Sequence, residues 1–191
     1  MNKVEIIGLG GTNGAGKDTV ANLLADEYGY YFVNASDLFA AELAHRNWPP
    51  DREHKGMLSA EWRREHGMGV VVDKALEAYS RTSGYNGLVV GSLRHPGEAD
   101  RVHELGGLLW WVDADPEIRY ERIRKGNRGR GPEDDKTFEQ FWVEEQREMT
   151  PTGDGATLNM SAVKERADKT IVNNSADLAD LRIAVEAALG L

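Results

Sequence analysis

The chain has 191 residues, 40% of them hydrophobic and 29% charged, with 32 acidic against 23 basic side chains, a net charge of −9 and no cysteine. That length suits one domain with a sizeable core, and the missing cysteines exclude disulfides, thiolate metal sites and cysteine nucleophiles. The acidic balance argues against a nucleic-acid partner. No apolar run reaches the roughly 18 residues of a membrane span, nor does a basic segment followed by an apolar one open the chain, so a cytoplasmic protein without a membrane partner is expected.

The first element is Val4 to Leu9, a short apolar run of the kind a buried parallel strand shows. Gly11-Thr12-Asn13-Gly14-Ala15-Gly16-Lys17 follows it and fits G-x-x-x-x-G-K, but Asp18 stands where Ser or Thr is usual, before Thr19. Val20, Leu23, Leu24 and Tyr28 then recur at helical spacing. Strand, glycine loop and helix are the context of a phosphate-binding P-loop: glycines let backbone N–H groups turn inward at the positive end of a helix dipole, and Lys17 reaches the β- and γ-phosphates.

Gly29 stops the first helix and Tyr30 to Val33 reads as a second strand, after which Ser36 or Asp37 can cap a helix carrying Leu38, Phe39 and Leu43. Asp37 therefore falls at the carboxyl end of a strand, the edge where open parallel sheets bind ligands. Residues 46–57 are polar, hold two prolines and follow no period, so a loop is expected, with a helix restarting near Ser59. Val70 to Tyr79 reads as a further helix. Arg46, Arg52, Arg63 and Arg64 could grip a phosphate or form a solvated charged face.

Leu88 to Val90 is the third strand, followed by Gly91-Ser92-Leu93-Arg94-His95-Pro96-Gly97-Glu98, with Pro96 suited to a helix's first turn and Gly106-Gly107 to its end. Arg94 is placed at the same edge as the P-loop and can bind phosphate bidentately or pair with Glu98. Leu108 to Val112 is the fourth strand, and Asp113 to Pro116 opens a helix with Arg119, Arg122 and Arg124. Basic residues fill six of the twelve positions from Arg119 to Arg130, and the glycines among them suggest a lid over a polyphosphate. A basic surface loop and a nucleic-acid patch are the alternatives.

Thr137 and Gln140 have capping-box spacing ahead of an apolar stripe of Phe138, Phe141 and Trp142. Thr170 to Val172 is the fifth strand, and Leu178, Leu181, Val185 and Leu189 mark the buried face of a closing helix. Strands alternating with helices indicate an α/β domain with a parallel sheet.

Gly16-Lys17-Asp18-Thr19, with Leu93 to Glu98 leading to Gly106-Gly107, resembles phage-type deoxynucleoside monophosphate kinases within the P-loop kinases of small molecules. Val112 to Arg122, the basic glycine-rich segment, and Ile171-Val172-Asn173-Asn174 also resemble dephospho-CoA kinases and archaeal adenylate-kinase-like proteins. The resemblance covers nearly the whole chain. It implies a single three-layer α/β/α domain over residues 1–191, with a five-stranded parallel sheet in the order 2-3-1-4-5. Residues 46–80 would be an acceptor-binding insert and 119–136 a small basic lid. Many of these proteins carry Asp-Gly after the third strand, where this chain has Gly91-Ser92, so their acidic residue is missing there.

The function expected from this resemblance is transfer of the γ-phosphoryl group of Mg-ATP to a nucleoside or deoxynucleoside monophosphate. Phosphorylation of a hydroxyl, as on dephospho-CoA, and ATP hydrolysis without a small-molecule acceptor are the alternatives. Lys17, Asp37, Arg94, Arg122 and Arg128 form the expected catalytic set. ATP would contact Gly11, Asn13, Gly14, Ala15, Gly16, Lys17, Asp18 and Thr19, with Arg128 and Arg130 from the lid. Magnesium would be shared by Asp18 and Asp37, since a carboxylate is an acceptable hard ligand. The partner is a small-molecule phosphate acceptor, and a homodimer is left open.

Overall fold

Strands buried on both faces need near-continuous apolar sequence, and the runs around Ile6, Leu88 and Leu109 supply it. In a computed structural model, which describes residues 5–126, 136–150 and 153–191, they are the three central strands. The elements are β1 (Glu5–Gly11), α1 (Lys17–Tyr28), β2 (Tyr30–Asn34), α2 (Ala35–His45), α3 (Arg52–His66), α4 (Val70–Ser80) and β3 (Gly87–Leu93). They continue as α5 (Pro96–Glu104), β4 (Leu108–Asp113), α6 (Pro116–Gly126), α7 (Phe138–Met149), α8 (Met160–Glu165), β5 (Lys169–Val172) and α9 (Leu178–Leu189). The sheet is parallel throughout, in the expected order β2-β3-β1-β4-β5.

Alternation along the strands sorts the core into two layers. Ile6, Leu88, Val90, Leu109 and Trp111 pack with Leu43, Leu58, Val71, Ala99 and Val163 from α2, α3, α4, α5 and α8. Ile7, Leu9, Val89, Trp110 and Val112 pack with Leu24 and Val185 from α1 and α9 on the other face. Each fully buried Leu, Ile or Val contributes about 1.5–3 kcal/mol, which favours the register that keeps both layers dry.

Local signals set most boundaries. Gly29 is left-handed at φ 71° and ends α1, and Pro96 enters the first turn of α5 behind a His95–Glu98 capping box. Thr137 and Gln140 form the expected box at α7. Three corrections apply to the sequence reading. Helix α3 begins at Arg52, because Pro49 and Pro50 hold the chain extended up to Asp51, whose carboxylate accepts the His54 N–H at 2.9 Å. The polar face of that first turn hid the helix. Helix α2 is capped by Asn34, which accepts the Ser36 N–H at 2.9 Å, and neither Ser36 nor Asp37 is the cap. Trp142 and Leu178 are not core residues: they are 40% and 48% exposed, because each helix buries only a narrow stripe.

One irregularity lies beside the site. The β1–β3 register shifts between Leu9 and Gly10, skipping Ser92, whose φ is 64°. Ser92 thus holds a left-handed backbone at the position where the resembled kinases have glycine, a conformation that costs a non-glycine residue about 1–3 kcal/mol.

Candidate nucleotide site at the carboxyl edge of the sheet

Because all five strands run the same way, their carboxyl ends share one edge, and the P-loop rises from the end of β1. Gly14 and Gly16 are left-handed at φ 78° and 95°. A Cβ on Gly16 would lie 2.5 Å from Asn173 Nδ2, so glycine is required sterically as well as conformationally. Asn173, just past β5, donates to Ala15 O at 2.8 Å and holds the loop from the far side. The Lys17 ammonium donates to Gly11 O at 2.9 Å and Thr12 O at 2.7 Å, curled over the loop that a phosphate would fill.

Asp113 ends β4 and fastens the same loop. Its carboxylate accepts from Thr12 Oγ1 at 2.8 Å, Trp111 Nε1 at 3.2 Å, Ala114 N at 2.9 Å and Lys164 Nζ at 3.3 Å. Burial alone would raise its pKa, but these donors, Thr12 foremost, outweigh burial and hold it below the ordinary carboxylate value. Arg119 on α6 is 2% exposed, forms a two-pronged ion pair with Glu145 of α7, and donates to Asn13 O at 3.3 Å. It is a buried strut under the P-loop, which corrects its reading as a lid charge. Arg122 donates to Asn173 O at 2.8 Å and Ser175 O at 2.7 Å, tying α6 to the segment after β5. Arg128 and Arg130 lie outside the described residues.

On the opposite side, Arg94 follows β3 and donates through Nη2 to Asn13 Oδ1 at 3.0 Å and through Nη1 to Glu148 of α7 at 2.9 Å. The alternative pairing with Glu98 is not made by its side chain. Glu98 instead accepts the backbone N–H groups of Arg94 and His95 and pairs with Arg63 at 2.7 Å, both members of that pair being 2% exposed. Arg63 is therefore structural and cannot grip an acceptor. Arg46 pairs with Glu42 and Glu61, and Arg64 with Asp154. Arg52 reaches Glu144 and Glu148, both at 3.3 Å.

Asp18 in the first turn of α1 and Asp37 in the first turn of α2 are both exposed. Asn34 Nδ2 donates to Asp18 Oδ1 at 3.1 Å, linking the two helix starts through one side chain. Among the described residues no group of three or more His or acidic side chains is arranged to hold a metal. Asp18 and Asp37 are donors of the type magnesium takes, since that ion typically binds one or two carboxylates and completes its shell with waters and substrate phosphates. The sequence reading missed Asn173, Glu145 and Glu148. The acidic run at 144, 145 and 148, facing an arginine-rich neighbour, was the available signal.

A parallel sheet in the order 2-3-1-4-5, with a glycine loop closing on a helix N-terminus and Lys17 at its mouth, defines a P-loop NTPase of kinase-like fold. A family profile described as an AAA domain, AAA_18, matches residues 7–148, and the chain belongs to that family. It is 28% identical over 171 residues to a UPF0200 protein of Methanosarcina barkeri, covering 88% of this chain and 89% of the relative. It is 32% identical over 126 residues to a candidate adenylate kinase of Thermococcus kodakarensis, covering 65% and 58% of the two chains. Among solved structures, TT1252 from Thermus thermophilus superposes with a TM-score of 0.64 at 22% identity, over 99% of this chain and 98% of that one. A shikimate kinase from Bacteroides thetaiotaomicron gives 0.60 at 14%, over 98% and 99%. These two are likenesses of fold. No described helix is long and apolar enough to cross a membrane.

Proposed function

We propose that the protein is a phosphotransferase that moves the γ-phosphoryl group of Mg-ATP to a nucleoside or deoxynucleoside monophosphate. The observation that carries this reading is Arg94 touching the P-loop residue Asn13 across the site. A guanidinium there lies between a donor cradled by the loop and an acceptor approaching from α2 and α3. The name of the Thermococcus kodakarensis relative points the same way.

In the reaction, the bond from the γ-phosphorus to the β–γ bridging oxygen breaks as an acceptor phosphate oxygen bonds to that phosphorus, and ADP leaves. An ionised monophosphate needs no strong base, so the protein's work is positioning and charge stabilisation. P-loop N–H groups and Lys17 hold the donor phosphates, and Arg94 aligns the acceptor and offsets charge on the transferred group. Arg122 and Arg128 would add charge stabilisation to the transferred group, and Arg128 and Arg130 would contact ATP. Asp18 and Asp37 would hold magnesium, which supplies charge neutralisation between phosphate oxygens. A hydroxyl acceptor would need a base, and Asp37, which has no hydrogen-bond or ion-pair partner among the described residues, is the residue available for that role.

The test offers Mg-ATP with nucleoside monophosphates, deoxynucleoside monophosphates and dephospho-CoA while ADP formation is followed. A monophosphate should be fastest. Preference for dephospho-CoA would overturn the acceptor class and keep the kinase. Turnover indifferent to every acceptor but accelerated by nucleic acid would overturn both.

A further inference from the structure

Three donors from three separate parts of the chain converge on one carboxylate. Glu148, in the last turn of α7, accepts from Arg94 Nη1 at 2.9 Å and Asn13 Nδ2 at 3.4 Å, and pairs with Arg52 Nη2 at 3.3 Å. Its side chain is only 12% exposed although it lies at the ligand-binding edge. A surface glutamate usually meets one cation of its own helix or a neighbour. Here the P-loop, the β3–α5 turn and the start of α3 all turn their polar hydrogens to one point.

Such a constellation suits an anion with more charge and more oxygens than a carboxylate. A phosphate carries about −1.5 to −2 and offers three acceptor oxygens, and the two guanidiniums would hold it more strongly than they hold Glu148. A carboxylate and a phosphate cannot share the point without like-charge repulsion. We propose that Glu148 occupies, in the unliganded protein, the position that the acceptor's phosphate takes beside Arg94 and Arg52, as an internal competing anion displaced when the acceptor binds.

The neighbouring acidic residues make the exchange local. Glu145, one turn earlier, stays in its buried pair with Arg119 and anchors α7, while Glu144 keeps Lys136 at 2.7 Å and a second contact to Arg52. Displacing Glu148 therefore frees only the last turn of α7. The displaced pairings set the affinity for the acceptor: they hold both arginines in place before binding, and they must be broken for binding to occur.

This inference rests on the kinase reading for the ligand's identity but is tested without turnover. Inorganic phosphate is titrated by calorimetry into full-length protein carrying Lys17→Ala, which weakens the P-loop as a rival phosphate site. Adding Glu148→Gln should tighten phosphate binding roughly two- to fivefold, the scale of one released ion pair at a partly exposed site. Adding Arg94→Ala instead should abolish it. Unchanged or weaker binding in Glu148→Gln would overturn the proposal, since a purely structural Glu148 would lose affinity along with arginine placement. Thermal melts of each variant confirm that folded protein is compared, and Glu148→Ser replaces any Gln variant that fails this check. If phosphate tightens as expected but no monophosphate is phosphorylated, the subsite stands and the acceptor reading falls. If monophosphates are phosphorylated but phosphate affinity does not rise, the reverse holds.

Discussion

At the scale of single residues, the site is defined by side chains that bond to the P-loop through both its backbone and its side chains. Lys17 spans Gly11 O and Thr12 O and contributes no core packing, so Lys17→Ala should leave the fold intact while lowering phosphoryl transfer at least on the order of a hundredfold. Near-normal turnover with any acceptor would remove the P-loop from the mechanism. Asp18 makes a different prediction. Its one described partner is Asn34, so its carboxylate is open to an ion at the mouth of the loop. Asp18→Ala should raise the magnesium concentration needed for half-maximal activity, and Asp18→Ser, which restores the usual hydroxyl, should largely reverse this. A magnesium titration unchanged in Asp18→Ala assigns the ion to other residues.

At the scale of elements, buried ion pairs decide how the helices meet the edge of the sheet. Arg63 of α3 and Glu98 of α5 form a pair sealed from water, and Glu98 simultaneously completes the α5 capping box. Arg63 also donates to Ala156 O at 2.9 Å, so one guanidinium joins α3, α5 and the segment before α8. Losing one member strands the other charge. Arg63→Met should therefore destabilise the protein by about 3–5 kcal/mol in urea unfolding, with the m-value unchanged. A loss under about 1 kcal/mol would mean that water reaches Glu98 once its partner is gone. The same logic makes Arg119–Glu145 the joint between α6 and α7, and it explains why that arginine is unsuited to moving with a lid.

At the scale of the whole molecule, one buried imidazole couples stability to pH. His95 Nδ1 accepts the Gly97 N–H at 3.0 Å and Nε2 donates to Gly155 O at 2.7 Å, which fixes the neutral tautomer. Burial lowers its pKa below the ordinary value of 6.5; nearby Arg63 adds to this, while the Gly155 carbonyl, Glu98 and Asp100 work in the opposite direction. With the folded pKa depressed, the unfolded chain binds the extra proton first, so this group's contribution is complete above about pH 6.5 and is lost as pH falls toward the folded value. Urea midpoints should drop between pH 7.5 and 5.5, and His95→Asn, which keeps an N-cap acceptor that does not titrate, should flatten that drop. Equal slopes in the two proteins would mean that His95 is not the group responsible.

The sequence by itself determined the sheet, its order through the family resemblance, the P-loop, the Pro96 start of α5 and the capping box of α7. Each of these rests on chemistry confined to neighbouring residues: glycines that turn, apolar runs that must be buried, a side chain that reaches back to its own helix start. The edge of the site is different. Arg94 was legible from its place just past a strand, but nothing local shows that Arg63 is buried against Glu98 while Arg46, Arg52 and Arg64 stay nearer the surface, because a helical guanidinium's role is set by which carboxylate the fold brings to it. Asn173 and Glu148 meet the loop from positions 158 and 135 residues away from their partners Ala15 and Asn13. Only the parallel crossover of the strands and the return of α7 over the carboxyl edge bring those atoms together, and burial then fixes which pairs hold.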